Sequence, residues 1–249
     1  MKCVADFITD VPVLRIDDQV TKARAVLRDD IYREIFVQEG KKALVGYIDI
    51  SDVLKVTATK SNVTIEGYLK EITPVHPEDT VECAAKIIRE NKTDSAPVVD
   101  AQNRILGGVL LSDLFPVIVT RNELRGTVRD YMTTRVVTCS PEDQVQKVHT
   151  LILETGHTAF PVVKKGVLKG IISRRDLLVD GRLRNALEGN AQARVDTVMI
   201  RELTTITPGE SVAVAAEKMA KYDISRIPVM NEDRMVGILD RHDILKGLA

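Results

Sequence analysis

Four seven-residue stretches, GYIDISD (Gly46 to Asp52), GGVLLSD (Gly107 to Asp113), GIISRRD (Gly170 to Asp176) and GILDRHD (Gly237 to Asp243), share one plan. Each has a leading glycine, an apolar strand-like run and a closing aspartate. Their glycines are spaced by 61, 63 and 67 residues, too evenly for unrelated turns, so the chain must fold as four copies of one small unit. Two further markers keep the same register. HPED, SPED and TPGE place Pro77, Pro141 and Pro208 at 30, 29 and 29 residues before their glycines, and Asp17 lies 29 before Gly46. APVV, FPVV and IPVM recur between these two signals, whereas the first copy reads IFVQ with Phe36 in the proline slot. The first copy is therefore the divergent one.

Local physics assigns each copy the order strand, helix, strand, strand, helix. Ser140 and Thr207 are expected to cap helices that have Pro141 or Pro208 as first residue, with Asp143 or Glu210 completing a capping box. Val81, Ala84, Ala85 and Ile88 fall on one helical face, as do Val212, Ala215, Ala216 and Met219. Paired apolar runs around Lys164 to Gly166 and Asn231 to Asp233 are expected to be hairpins. The leading glycines are expected to permit close packing, and Met132 and Met199 to lie in the core. This gives an α/β (α+β) class with repeats at 1–58, 64–118, 127–182 and 194–249. Segments 55–66, 116–126 and 179–193 are the expected connections. A unit of about 60 residues has little core of its own, so the repeats should pair, into modules 1–120 and 121–249.

Composition narrows the function. Thirty-five basic and 36 acidic side chains give a formal net charge of -1, so no global field recruits nucleic acid or an anionic membrane. Cys3, Cys83 and Cys139 are scattered and odd in number, which fits a reducing, cytoplasmic setting. No apolar run approaches the length of a membrane span. Neither a metal cluster nor a nucleophile with a base is spaced for catalysis, so no enzyme and no catalytic cofactor are expected.

The helix, the x-Pro-Val strand, the hairpin and the closing Gly-h-h-[Ser/Thr]-x-x-Asp resemble the CBS domain (cystathionine-beta-synthase domain), and the two pairs resemble Bateman modules. Four copies in one chain also resemble the nucleotide-sensing gamma subunit of AMP-activated protein kinase. The resemblance implies paired repeats with pseudo-twofold symmetry and clefts for adenosine derivatives. In such clefts the closing Asp holds the ribose hydroxyls and the Ser/Thr helps hold ribose or phosphate. Carried onto this chain, it implies ligand roles for Ser173, Asp176 and Arg174 in repeat 3, with Thr158 before the Phe160-Pro161 strand. In repeat 4 it implies Asp243, Arg226 and Arg241, although Asp240 replaces the hydroxyl residue. Thr133, at the start of repeat 3 in a segment resembling a unit-start strand, is implied at a nucleotide. Asp113 closes repeat 2, with Leu110 at the hydroxyl position, and repeat 1 carries Asp49 and Asp52. The implied function is regulatory: energy sensing through AMP, ADP or ATP, relayed to an unidentified protein partner by a homodimer or an intrachain disc of two modules. A scaffold without sensing, in which the Ser/Asp pairs are only helix caps, stays open, as does S-adenosylmethionine or another adenosyl ligand.

Overall fold

The structure, a computed structural model, describes residues 2–29, 31–56, 61–180 and 193–247. Contacts divide the chain into two compact units, Met1–Ile118 and Val119–Ala249. Each unit holds two repeats. Repeat 1 consists of β1 (Val13–Arg15), α1 (Val20–Asp29), β2 (Glu34–Glu39), β3 (Ala43–Asp49) and α2 (Ile50–Lys55). Repeat 2 consists of α3 (Val81–Asn91), β4 (Ser95–Val99), β5 (Ile105–Leu110) and α4 (Leu111–Arg121). A single helical turn, α5 (Val128–Tyr131), opens repeat 3, which continues with α6 (Val145–Thr155), β6 (Ala159–Lys164), β7 (Val167–Ser173) and α7 (Arg174–Asp180). Repeat 4 consists of α8 (Val212–Lys221), β8 (Arg226–Asn231), β9 (Arg234–Asp240) and α9 (Arg241–Lys246).

The mixed class and the helical faces are as expected. Val81, Ala84, Ala85 and Ile88 in α3, and Val212, Ala215, Ala216 and Met219 in α8, are all buried. Hairpin β6–β7 turns through Lys165 and Gly166, both at positive φ, as a tight hairpin requires. Every hairpin carries a register shift at the same place, after Val37, Val98, Val162 and Val229. The repeated bulge bends the strand just before each leading glycine.

Three local expectations are corrected. The Pro-containing markers do not start helices. His76, Ser140 and Thr207 each donate a backbone N–H over 2.7 Å to the carboxylate three residues on. This closes a turn, and the helices begin four residues after each proline, behind the N-caps Thr80, Gln144 and Ser211. The prolines fit the turn as well as a first helical turn, and the carboxylate is used before it can cap a helix. The unit-start strand is a true strand only in repeat 1. Elsewhere it shrinks to single parallel bridges, Val75 to Val98, Cys139 to Val162 and Ile206 to Val229, and Met132 to Thr138 holds no strand, only the isolated bridge at Thr133 and a bend at Arg135. Finally, 116–121 is not a connection but the second half of α4, whose apolar side buries Leu114, Phe115 and Ile118. Most of the expected connection 179–193 lies outside the described residues.

The stretch that leads into each repeat crosses onto the hairpin of its sister. Thr9 bridges Gly108 and Lys70 bridges Tyr47 in the first unit; Thr133 bridges Ile238 and Ile200 bridges Ile171 in the second. Each bridged hairpin residue directly follows a leading glycine, which explains the glycines. A Cβ on Gly170 would lie 2.6 Å from the Ile200 carbonyl oxygen, and one on Gly46 would collide with the Lys70 carbonyl. Met199 and Met132 pack against Gly170 and Gly237 at the same crossings. The pairing of repeats is thus written into the motif itself.

The crossing strands differ in length between units. Five residue steps separate Thr9 from Leu14 and Lys70 from Val75, but six separate Thr133 from Cys139 and Ile200 from Ile206. In the first unit Phe36 fills the proline slot and joins Leu44, Tyr47, Val99 and Ile105 in an apolar cluster, with Val11, Val13 and Ile72 against it. That cluster spans both repeats of the unit.

Candidate functional site

In repeats 1, 3 and 4 the closing motif places Asp49, Ser173 or Asp240 at the last residue of a strand and the final Asp in the first turn of a short helix. In repeat 3 the Ser173 N–H and Oγ both donate to Asp176 Oδ2 at 2.7 Å, and the Asp176 N–H donates back to Ser173 Oγ at 3.3 Å. Among the described residues Asp176 Oδ1 accepts no hydrogen bond. In repeat 4 Asp240 accepts from the Asp243 N–H at 2.8 Å and Asp243 from the Asp240 N–H at 3.1 Å. Lys246 Nζ lies 2.9 Å from Asp243 Oδ1. Burial, and then the adjacent Asp240 charge, hold the Asp243 carboxyl above its ordinary range against the pull of Lys246.

Around these caps the second unit brings together residues from both its repeats. Arg226, just before Ile227 and Pro228 in repeat 4, donates from Nη2 to Thr158 Oγ1 of repeat 3 over 2.8 Å. The Arg174 N–H donates to the Thr158 carbonyl over 2.9 Å, which ties the start of α7 to the same residue. Thr133 is exposed and bonds through its backbone to Ile238, two residues before Asp240. Arg174 and Arg241, which open the two closing helices, are both buried. Arg241 Nη2 donates to the Met219 carbonyl at 3.3 Å and to Asp223 Oδ1 at 2.8 Å. Its charge is thereby spent at the C-terminus of α8, where the helix dipole favours a cation.

The first unit is built differently. Asp49 and Asp52 cap each other as Asp240 and Asp243 do, but Lys70 Nζ lies 2.6 Å from Asp52 Oδ2 and 3.1 Å from Asp49 Oδ2, and Lys55 Nζ lies 2.8 Å from Asp52 Oδ1. In repeat 2 Asp113 is exposed and takes a 3.4 Å bond from Ser112 Oγ. The position that Arg226 holds in repeat 4 is held in repeat 1 by Glu34, which is buried and accepts from Ser95 Oγ at 2.8 Å and the Asp94 N–H at 3.3 Å. A polar cleft of about 580 Å³ in this unit, lined by Gly46, Glu71, Thr73 and Asn91 among others, includes neither Asp49 nor Asp52.

A model of the CBS domain matches residues 68–120, 128–179 and 195–249. The chain belongs to the CBS domain family. The CBS domain-containing protein YhcV of Bacillus subtilis is 36% identical over 119 residues, which are 47% of this chain and 82% of that protein. The uncharacterized protein MJ1225 of Methanocaldococcus jannaschii is 24% identical over 259 residues, 92% of each chain. Its crystal structure, proposed as that of an archaeal homolog of g-AMPK, superposes with a TM-score of 0.82 at 21% identity, covering 97% of this chain and 96% of that one. That likeness is one of fold. An uncharacterized conserved protein from Pyrococcus horikoshii matches with a TM-score of 0.66 at 25% identity over 99% of both chains.

The CBS model leaves repeat 1 unmatched, although its elements follow the same order as the other three. Its departures include Phe36 for proline and Glu34 two residues before it, both in the unmatched stretch, while Lys70, which crosses onto its hairpin, falls within the match to repeat 2. Glu34 and Lys70 were not among the residues that sequence reasoning selected. Alignment of the four crossing segments would have exposed Lys70, the one amine among Thr9, Lys70, Thr133 and Ile200. No helix among the described residues is long and apolar enough to cross a membrane, and no group of three or more His, Cys, Asp or Glu there is placed to hold a metal ion.

Proposed function

We propose that this CBS protein is a regulatory subunit or module that binds an adenine nucleotide, AMP, ADP or ATP, in the second unit and passes the bound state to a protein partner. The observation that carries the reading is the Arg226–Thr158 contact, which sets a guanidinium and a hydroxyl from opposite repeats side by side. A guanidinium suits phosphate, and Asp176 and Asp243 at helix starts suit ribose hydroxyls as acceptors. Asp176 is the stronger of the two, because its Oδ1 is uncommitted among the described residues while Asp243 Oδ1 already holds Lys246. Thr133 and Ser173 complete the proposed contacts. Arg241 is engaged with Met219 and Asp223, and Asp113 is left outside the site. Ligand bound by residues of both repeats would favour one packing of the pair over another, and that difference is what a partner reads.

A scaffold role has its own support, since Ser173–Asp176, Asp240–Asp243 and Asp49–Asp52 are complete caps with no ligand. The two readings separate in one set of measurements. Native mass spectrometry of the purified protein, followed by calorimetry with AMP, ADP, ATP and S-adenosylmethionine, should show binding that Asp176→Ala weakens at least tenfold. A ligand at 100 times its Kd should stabilise the fold by about 2.7 kcal/mol. Heat and stabilisation from none of the four compounds would leave only the scaffold.

A further inference from the structure

Repeats 1 and 4 carry the same closing chemistry. Asp49, Asp52 and Lys55 in the one correspond to Asp240, Asp243 and Lys246 in the other, with reciprocal caps in both and matching lysine pairs at 2.8 and 2.9 Å. What differs is the crossing residue. In repeat 4 it is Thr133; in repeat 1 it is Lys70, whose ammonium bridges Asp52 and Asp49 and lies 4.7 Å from the centre of the Tyr47 ring. Among the described residues, two carboxylates therefore face two ammonium groups in repeat 1, but one ammonium in repeat 4.

We propose that Lys70 is a built-in occupant of the repeat 1 site: its ammonium takes Asp49 Oδ2 and Asp52 Oδ2 while Lys55 holds Asp52 Oδ1, so that no oxygen of Asp52 is left to a ribose and this repeat is closed to adenosine ligands. The inference rests on the reading above that the closing Asp of a repeat is a ribose acceptor. Each oxygen of Asp52 has its own lysine, and Asp52 is only 2% exposed. A neutral diol displacing Lys70 would have to strip a half-buried ammonium from two anions, with Tyr47 at its side, and would offer weaker hydrogen bonds in return. The crossing segment adds to the closure, being one residue shorter than its counterparts in the second unit. Repeat 1 is then a fixed part of the first unit.

The test is Lys70→Thr, which gives repeat 1 the crossing residue of repeat 4. AMP stoichiometry is read by native mass spectrometry and equilibrium dialysis on the full chain, with hydrogen exchange to locate it. The variant should take up one more AMP per chain than the wild type, with new protection in 46–56 and 69–75. No added AMP in a cooperatively folded variant overturns the proposal, as does AMP-induced protection of 46–56 in the wild type. Lys70→Ser, which removes the ammonium without β-branching, replaces Lys70→Thr should the latter fail to fold. A wild type that binds no AMP would refute the nucleotide reading of the second unit, and the gain or absence of a site in the Lys70 variant would still decide this one.

Discussion

Arg226 Nη2 donates to Thr158 Oγ1 across 2.8 Å, and at the same place in the first unit Glu34 accepts from Ser95 Oγ across 2.8 Å. One position of the repeat thus staples each pair together, with a cation in one unit and an anion in the other. If the cationic staple also holds phosphate, Arg226→Ala should weaken AMP binding by roughly tenfold or more, since a hydrogen bond to a charged group contributes about 1.5–3 kcal/mol. Stability should change by less than about 1 kcal/mol, because the arginine is only half-buried. Calorimetry and thermal melts read the two effects separately. An unchanged affinity with a large loss of stability would make Arg226 a staple alone.

The anionic staple should be the more costly to remove. Glu34 is 3% exposed and holds a buried hydroxyl and a backbone N–H of the sister repeat. Glu34→Ala leaves the buried Ser95 hydroxyl and the part-buried Asp94 N–H without their acceptor, at up to about 1–3 kcal/mol for each group so stranded, and opens a cavity. A loss of roughly 2–4 kcal/mol in urea denaturation is expected, with Glu34→Gln, which keeps one acceptor oxygen, losing less than half of that. Equal losses in the two variants would show that charge, not hydrogen bonding, is what the site needs.

Much of this architecture was legible in the sequence, for a physical reason. The repeat, the hairpins, and the buried faces of α3 and α8 all follow from short-range periodicity, which a strand or helix imposes on its own residues. The leading glycines were also recognisable as packing devices, but what they pack against was not. The Lys70 and Ile200 carbonyls come from residues 24 and 30 positions further along the chain, and only the fold shows that each repeat's entry segment lies on its sister's hairpin. The same limit hid Lys70 and Glu34, whose partners belong to the other repeat. It also hid the partners of Arg241, because a basic residue at a helix start looks poised for an anion until Met219 and Asp223 are seen beside it. The turns at Pro141 and Pro208 were misread because a Ser/Thr-Pro-x-acid signal satisfies a turn and a capping box equally well.

Gly46 makes the pairing argument testable. Its φ of +152° and the Lys70 carbonyl against its α-carbon leave no room for a methyl group. The obstacle is backbone, which cannot swing aside as a side chain would. Gly46→Ala should therefore cost roughly 2–4 kcal/mol, whereas Gly67→Ala, where nothing lies within 4 Å of the added atom, should change stability by less than about 1 kcal/mol. Thermal denaturation of the two variants gives the comparison. Similar melting temperatures would mean that the entry segment of repeat 2 does not need its close approach to β3.

The Asp240–Asp243 pair yields a pH dependence whose sign can be worked out. Burial, then the charge of Asp240, raises the Asp243 pKa above its unfolded value. Between the two values the folded state holds more protons than the unfolded state, so this group makes stability fall as pH rises through that window. Above the window both carboxylates are charged and repel. Asp240→Asn keeps an oxygen to accept the Asp243 N–H, a bond of 2.8 Å here, but removes the charge. It should raise the stability at pH 7 by up to about 1 kcal/mol, roughly 2–4 °C in Tm for a chain of this size, and shift the Asp243 titration downward. Near pH 3, where Asp243 is protonated in the folded state, the gain should vanish. The same substitution removes a negative charge beside the proposed ribose acceptor, so AMP affinity in repeat 4 should rise with it. Carboxyl NMR titration and melts at the two pH values supply the measurement, and a gain of equal size at pH 3 and pH 7 would show that electrostatic repulsion between the two aspartates is not its source.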